Sequence, residues 1–580
     1  MRLAHFFFAF CESFSVSFCG FLLFFLYVCS QIKANMRKTI LSFLFMLPMV
    51  VSAQYRSEVW SPDNGDGSYT NPVINADYSD PDVICVGDDY YLTASSFQCI
   101  PGLPILHSKD LVNWEIIGHA LKELKPREVF DKPQHGMGVW APSIRYHNGE
   151  FYIYWGDPDY GVFMVKTKDP AGEWEEPICV IPGKGMIDTT PLWDDDGRCY
   201  LVNAWANSRS RFASVLTVRE LNAEGTKAIT NPVIVFDGNG TENRTCEGPK
   251  FYKRDGWYWI MCPAGGVPTG FQLAMRSKSP YGPYEYKKVL AQGSTNVNGP
   301  HQGGWVHTAQ GEDWFMHFQD KEAYGRVVHL QPVTWKDNWP VMGKVPAKGY
   351  CGEPVTTFRK PKSTSKIIVN PVESDEFNAP TFGKQWQWQA NYDQKFGMPT
   401  AFGTMRIYTY KLDDASFSLL NVPNMLLQKT PADSFVATTK IRMTAKDQNQ
   451  LGGLIMMGLD YSALVVKRVG DEFHLLQLTN SSDKRKTHGE ELIATLKPTE
   501  SDKIDYQPAI HETIYLRMVV DNGKCRFFYS LNGKTYKEAG TEFQMKEGKW
   551  IGAKIGLIAV EPAGNTNRGW VDADWFRVTK

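Results

Sequence analysis

Three acidic side chains in the first half of the sequence open similar phrases. Asp80 begins Asp80-Pro81-Asp82-Val83, Asp188 begins Asp188-Thr189-Thr190-Pro191, and Glu247 begins Glu247-Gly248-Pro249-Lys250. Each stands seven to nine residues before a turn glycine, namely Gly87, Gly197 and Gly256. Any one of them alone reads as a turn starter or an edge charge. Three in matching positions would meet if their segments were arranged around a common axis. Like charges brought together raise at least one pKa, so that one acid keeps its proton at neutral pH while another stays ionised. Such a set can protonate a leaving oxygen with one carboxyl and activate water with another, which is the chemistry of glycosidic bond cleavage.

The elements that would position these acids are repeated. A polar start, a short apolar stretch, a Gly, Asp or Asn turn and an aromatic-rich strand recur five times, opening at Asp80, Trp140, Asp188 and Glu247 and more loosely at Gly303. The turn glycines Gly87, Gly149, Gly197, Gly256 and Gly311 follow one another at about the ~50-residue spacing of propeller blades, with no amphipathic helical pattern between them. A five-bladed β-propeller over residues 54–343 is expected, with the first strand of each blade lining the channel and the three acids at one mouth. A plain β-sandwich would not require the repeat. Trp140 is expected in the same register as the acids, as a pocket wall, with blade core as its alternative.

Residues 344–370 are rich in Lys, Pro, Ser and Thr and read as a linker. Residues 371–580 read as a second all-β unit, a β-sandwich. Strand patterns occupy 451–466 and 555–560, and 515–529 alternates around Asn522-Gly523, a pair suited to tight hairpins. The fold class is therefore all-β.

A length of 580 residues favours at least two domains. A net charge of -1 provides no basic field for nucleic acid or anionic membrane, so a neutral or weakly charged ligand is expected. The 18 tryptophans suit sugar binding, although aromatics enrich any β-rich fold. At the N-terminus, Met36-Arg37-Lys38, the apolar run 40–51 and Val51-Ser52-Ala53 make a complete secretory signal. Residues 1–35 then read as a start-site extension and 36–53 as a signal peptide, which predicts export to the periplasm or outside the cell. The apolar stretch 20–30 is short for a span of ~20 residues, so no stable membrane span is expected in the mature chain. Eight of the 11 cysteines follow Met36, with no CxxC pair, so buried free thiols are the expectation and individual disulfides stay open.

Residues 71–335 resemble glycoside hydrolase family 43. The resemblance is carried by Ser79-Asp80-Pro81-Asp82, Val139-Trp140-Ala141-Pro142-Ser143, Ile187-Asp188 with Asp194-Asp195-Asp196-Gly197, Cys246-Glu247-Gly248-Pro249, and Tyr324-Gly325-Arg326. It implies Asp80 as general base, Glu247 as general acid, Asp188 as the residue that tunes and orients the acid, and inversion of configuration. It also implies that Arg326, placed after the fifth blade, and Phe97 contact the sugar, a surface charge on a strand end being the alternative for Arg326. His301 is similar to a family histidine near a metal ion or water on the axis, a structural histidine being the alternative. A structural Ca2+ on that axis is thus conceivable, while no cofactor is required. The Asp194–Gly197 run reads as a hairpin turn, because Cys199 and Trp205 stand where a calcium loop needs glycine and glutamate.

Asp375-Glu376-Phe377-Asn378 and Asp574-Trp575-Phe576-Arg577-Val578 are similar to the concanavalin A-like domain that helps wall the pocket in β-xylosidases of the family. Some of those enzymes also remove α-L-arabinofuranosyl groups. The resemblance therefore implies exo-action on xylan-derived or other plant cell-wall oligosaccharides. Two alternatives are a non-catalytic carbohydrate-binding propeller and a retaining fructan-type glycosidase, whose Asn-Asp-Pro-Asn phrase is Ser79-Asp80-Pro81-Asp82 here. Oligomeric state and the choice between xylose and arabinose stay open.

Overall fold

Short strands rich in aromatic and β-branched residues, separated by glycine turns, pair with their sequence neighbours into five four-stranded antiparallel sheets. The computed structural model describes residues 54–412, 418–482, 489–504 and 506–580, so the expected extension and leader lie outside the described residues. The first blade runs Asp82–Val86, Asp89–Thr93, Gly102–Ser108 and Trp114–Leu121. The inner strands of the other four are Trp140–His147, Met186–Trp193, Lys250–Arg254 and His301–His307. Gly87, Gly149, Gly197, Gly256 and Gly311 all have φ between 63° and 83°, which is why the repeat keeps glycine at its turns. The five-bladed expectation holds. Arg326, however, opens the third strand of the fifth blade, Arg326–Lys336, instead of following that blade.

The ring closes by backbone pairing ahead of the first blade. Ile74 and Val328 exchange bonds of 3.2 and 3.0 Å, and the Asn71 side chain bonds both backbone groups of Leu330 at 2.8 Å each. Ser68–Thr70 pairs with Thr357–Arg359, so the segment expected as a linker is laid along the propeller. There Lys360 pairs with Asp63 and Asp110, and the Ser363 hydroxyl donates to the Lys109 carbonyl.

The C-terminal unit is a two-sheet sandwich of eight and seven strands. Ile441, Leu516 and Phe576 from one sheet meet Leu454, Leu464 and Leu557 from the other in its core. The opposite face of the seven-stranded sheet is also buried: Ile455, Val465 and Leu476 lie with Leu419, Val422 and Met425. Asn522 and Gly523 turn at φ 46° and 82°, as expected for the hairpin there.

Propeller and sandwich meet across a seam of backbone and side-chain hydrogen bonds. Ile100 and Trp388 exchange bonds of 3.1 and 2.6 Å. Asn391 accepts from Leu124 N at 2.7 Å and donates to its carbonyl at 2.9 Å. Among the described residues, no helix is long and apolar enough to cross a membrane.

Candidate active site

Each inner strand enters through one residue of left-handed backbone. These are Asp80 (φ 55°), Ala141 (34°), Asp188 (57°), Gly248 (59°) and Gln302 (52°). In the second, third and fifth blades the pairing register shifts at this residue, which marks a bulge that re-aims the chain at the axis. Left-handed backbone costs a non-glycine residue about 1–3 kcal/mol, strain that is typical of functional positions. This alignment corrects the expected register. Asp80 and Asp188 are equivalent, but Glu247 lies one residue earlier, level with Trp140 and His301. Residue counts back from a turn glycine do not reveal the offset, because the left-handed residue stands seven to nine positions before that glycine depending on the blade.

Bonds between blades hold the inner strands together. Ala141 N donates to Ser95 Oγ at 2.8 Å, Ser143 Oγ to the Thr189 carbonyl at 2.7 Å, and Thr190 Oγ1 to the Pro249 carbonyl at 2.8 Å. Beneath them Lys250, fully buried, donates to the Pro142 carbonyl at 2.7 Å, and Asp82 accepts from Arg145 at 2.6 Å.

Asp80, Asp188 and Glu247 converge on one cavity of about 470 Å³, which Phe97, Trp140, Gln302, Arg326 and Trp550 also line. The acids have unequal surroundings. Asp80 accepts from Ser95 Oγ at 2.6 Å and Arg326 Nη1 at 2.8 Å. Asp188 accepts from Gly248 N at 2.7 Å. Burial, then the Asp80 charge, pushes the Asp188 carboxyl up to about 7, against the pull of that bond and of Lys250 and Arg326. Glu247 is pushed highest, to about 8, by burial and then by Asp188, with only Arg326 opposing. Burial works against the charge of Arg326, yet Asp80, Asp320, Asp77 and Glu247 hold its pKa above the usual value.

Aromatic side chains shape the rest. The Phe97 and Trp550 rings meet Trp140 edge-on at 6.4 and 6.2 Å, and Trp140 Nε1 donates to the Gly136 carbonyl at 2.9 Å. Trp550 comes from the sandwich, on a loop fixed where Gly552 N donates to Asp77 Oδ2 at 3.0 Å. Asp77 also accepts from Arg326 N at 2.9 Å, so a single carboxylate ties the sandwich loop to the strand carrying the site arginine. A Cβ at Gly552 would lie 2.7 Å from the Tyr324 carbonyl oxygen, so only glycine allows this approach. Sequence reading missed Trp550, because nothing near it in the chain marks a site. It also assigned no role to Ser95, Gln302, Asn207 or Ser208, of which the last two line the cavity from the short helix Asn207–Ser210.

Trp550 is 45% exposed, so Trp550→Ala is expected to leave the thermal midpoint nearly unchanged. Loss of an aromatic wall worth about 1 kcal/mol should raise KM roughly fivefold. Initial rates beside a melting curve check this, and an unchanged KM would remove Trp550 from the site.

His301 is buried beside the axis, its Nδ1 against the Gly299 carbonyl. Burial holds its pKa down to about 4, so the ring is neutral at physiological pH. Among the described residues no group of three or more His, Cys, Asp or Glu side chains gathers to hold a metal. One imidazole does not match the oxygen-rich shell of Ca2+, so these side chains alone do not fit that ion, and no chemical step is routed through one.

Comparison with known proteins adds an independent line. The family model described as glycosyl hydrolases family 43 matches residues 69–340, and that of the beta xylosidase C-terminal concanavalin A-like domain matches 374–579. A xylosidase/arabinosidase of Butyrivibrio fibrisolvens is 33% identical over 543 residues, covering 88% of this chain and 98% of that protein. A non-reducing end alpha-L-arabinofuranosidase of Bacteroides ovatus is 30% identical, covering 88% and 94%. Among solved structures, a GH43 protein of Bacillus licheniformis superposes with a TM-score of 0.73 at 26% identity, covering 88% of this chain and 99% of its own.

Proposed function

The chain belongs to glycosyl hydrolase family 43, and from that premise we propose that it removes terminal β-D-xylosyl groups, and α-L-arabinofuranosyl groups as a second activity, from xylan-derived or other plant cell-wall oligosaccharides, with inversion at the anomeric carbon. The observation that carries this reading is the contrast between two carboxyls in one cavity. Asp80 is clamped by a guanidinium and a hydroxyl, whereas Glu247 is pushed up to about 8.

In the proposed reaction Glu247 donates its proton to the glycosidic oxygen as the bond to the leaving sugar breaks. Asp80 takes a proton from the water that attacks the opposite face of the ring. Burial first, and then the neighbouring carboxyl of Asp188, which the Gly248 amide orients, disfavour ionisation of Glu247 and keep it protonated near neutral pH. Arg326 donates to Asp80 at 2.8 Å, which orients that carboxylate, and also lines the cavity. The Trp550 loop adds a wall from the sandwich, which favours the end of a chain over its middle.

Proton NMR of the sugar first released from a β-xyloside tests the assignment. The α-anomer is expected, and the β-anomer appearing first would overturn it. Xylo-oligosaccharides should shorten one unit at a time, so internal fragments as the main products would sink the exo reading. Parallel kinetics on 4-nitrophenyl β-D-xylopyranoside and α-L-arabinofuranoside rank the two sugars.

A further inference from the structure

Behind Glu247, two thiols from different segments meet. Cys246 immediately precedes it, and Cys262 lies in the second strand of the fourth blade, Trp257–Ala264. Their sulfurs are 3.2 Å apart, and the side chains are 1% and 0% exposed. The two segments are hydrogen-bonded neighbours at this point, because Glu247 N donates to the Pro263 carbonyl at 3.3 Å. A disulfide requires an S–S distance of about 2.05 Å, so closure asks the sulfurs to move by roughly 1.2 Å.

We propose that Cys246 and Cys262 form a disulfide when the chain folds in oxidising surroundings, tying the segment that carries Glu247 to its neighbouring strand. Two S–H bonds break and one S–S bond forms. Two electrons and two protons pass to a disulfide oxidant, which is cleaved to two thiols. Burial raises the Cys246 thiol well above its usual pKa, and exchange needs a thiolate. The bond is therefore made while the chain is still open and is locked in once the blade closes. Formation depends on the geometry of the pair and on an oxidant, whereas an effect on catalysis rests on the reading of Glu247 as the acid.

The test is refolding of the full chain in mixed reduced and oxidised glutathione, then denaturation in iodoacetamide without reductant, digestion and mass spectrometry. The expected product is a peptide pair joined through Cys246 and Cys262, two hydrogens lighter than the dithiol, with Cys199 and Cys525 alkylated. Alkylation of both Cys246 and Cys262, or a link from either to another cysteine, would overturn the proposal. Wild type refolded this way should also melt several degrees above wild type refolded in reduced glutathione alone. Cys262→Ser should show no such difference. An equal shift in that variant would contradict the assignment, whereas an unaltered pH–rate profile would bear on Glu247 and leave the disulfide standing.

Discussion

Glu247→Gln is expected to lower kcat on xylobiose by ~10²–10⁴-fold, the usual worth of a positioned general acid. Loss should be far smaller on an aryl xyloside whose phenolate departs without a proton, since glutamine keeps the shape of the side chain and removes only the donor. Equal losses on both substrates would show that Glu247 is not the acid. In wild type, kcat should fall as pH rises through about 8, where Glu247 loses its proton. The same shift sets a stability trend. The folded pKa lies above the ordinary 4.5, so the native state binds more protons than the unfolded chain between the two values, and stability is lost as pH rises through that window. Glu247→Gln abolishes this loss. Its thermal midpoint should match wild type below pH 4.5 and exceed it above pH 8, as differential scanning calorimetry would reveal.

Asp80→Asn should by itself reduce kcat by ~10²–10⁴-fold, with no recovery on the activated aryl xyloside. A better leaving group cannot replace a base that activates water. Asparagine is the informative substitution because residue 80 has φ 55°, a left-handed backbone that asparagine tolerates better than alanine. The neutral amide also removes a charge that raises both Asp188 and Glu247, while Arg326 continues to lower them. The alkaline limb of the residual activity should therefore move to lower pH. Recovery on the activated substrate, or an alkaline limb moved to higher pH, would refute the base assignment.

Much of the catalytic domain was legible from the residues alone because a repeat turns positions into geometry. Once five hairpins share a phrase, the starts of their first strands converge on one axis, and three acids at those starts must meet. The alternation around Asn522-Gly523 revealed a hairpin for a similarly local reason, since that turn needs two residues that accept positive φ. The one-residue offset of Glu247 was not legible, because the distance from the left-handed residue to its turn glycine varies from seven to nine positions between blades and the hydrophobic pattern does not mark it. Nor was the packing of 344–370 along the propeller, whose Lys and Ser contacts lie with residues some 250 to 300 positions away.

The sequence by itself determined the repeat, the two all-β units and which carboxyls gather at the channel mouth, since types and spacing within each hairpin are local properties, whereas Arg326 came only from the family resemblance. Tertiary structure alone decided how those groups differ. Arg326 reaches Asp80 from 246 positions away, Gly552 of the sandwich binds the aspartate that also holds the Arg326 backbone, and Trp550 enters the cavity from a loop with no local mark of function. Protonation preference depends on burial and on charges brought close through space, so the unlike states of three acids that open similar phrases exist only once the chain has folded.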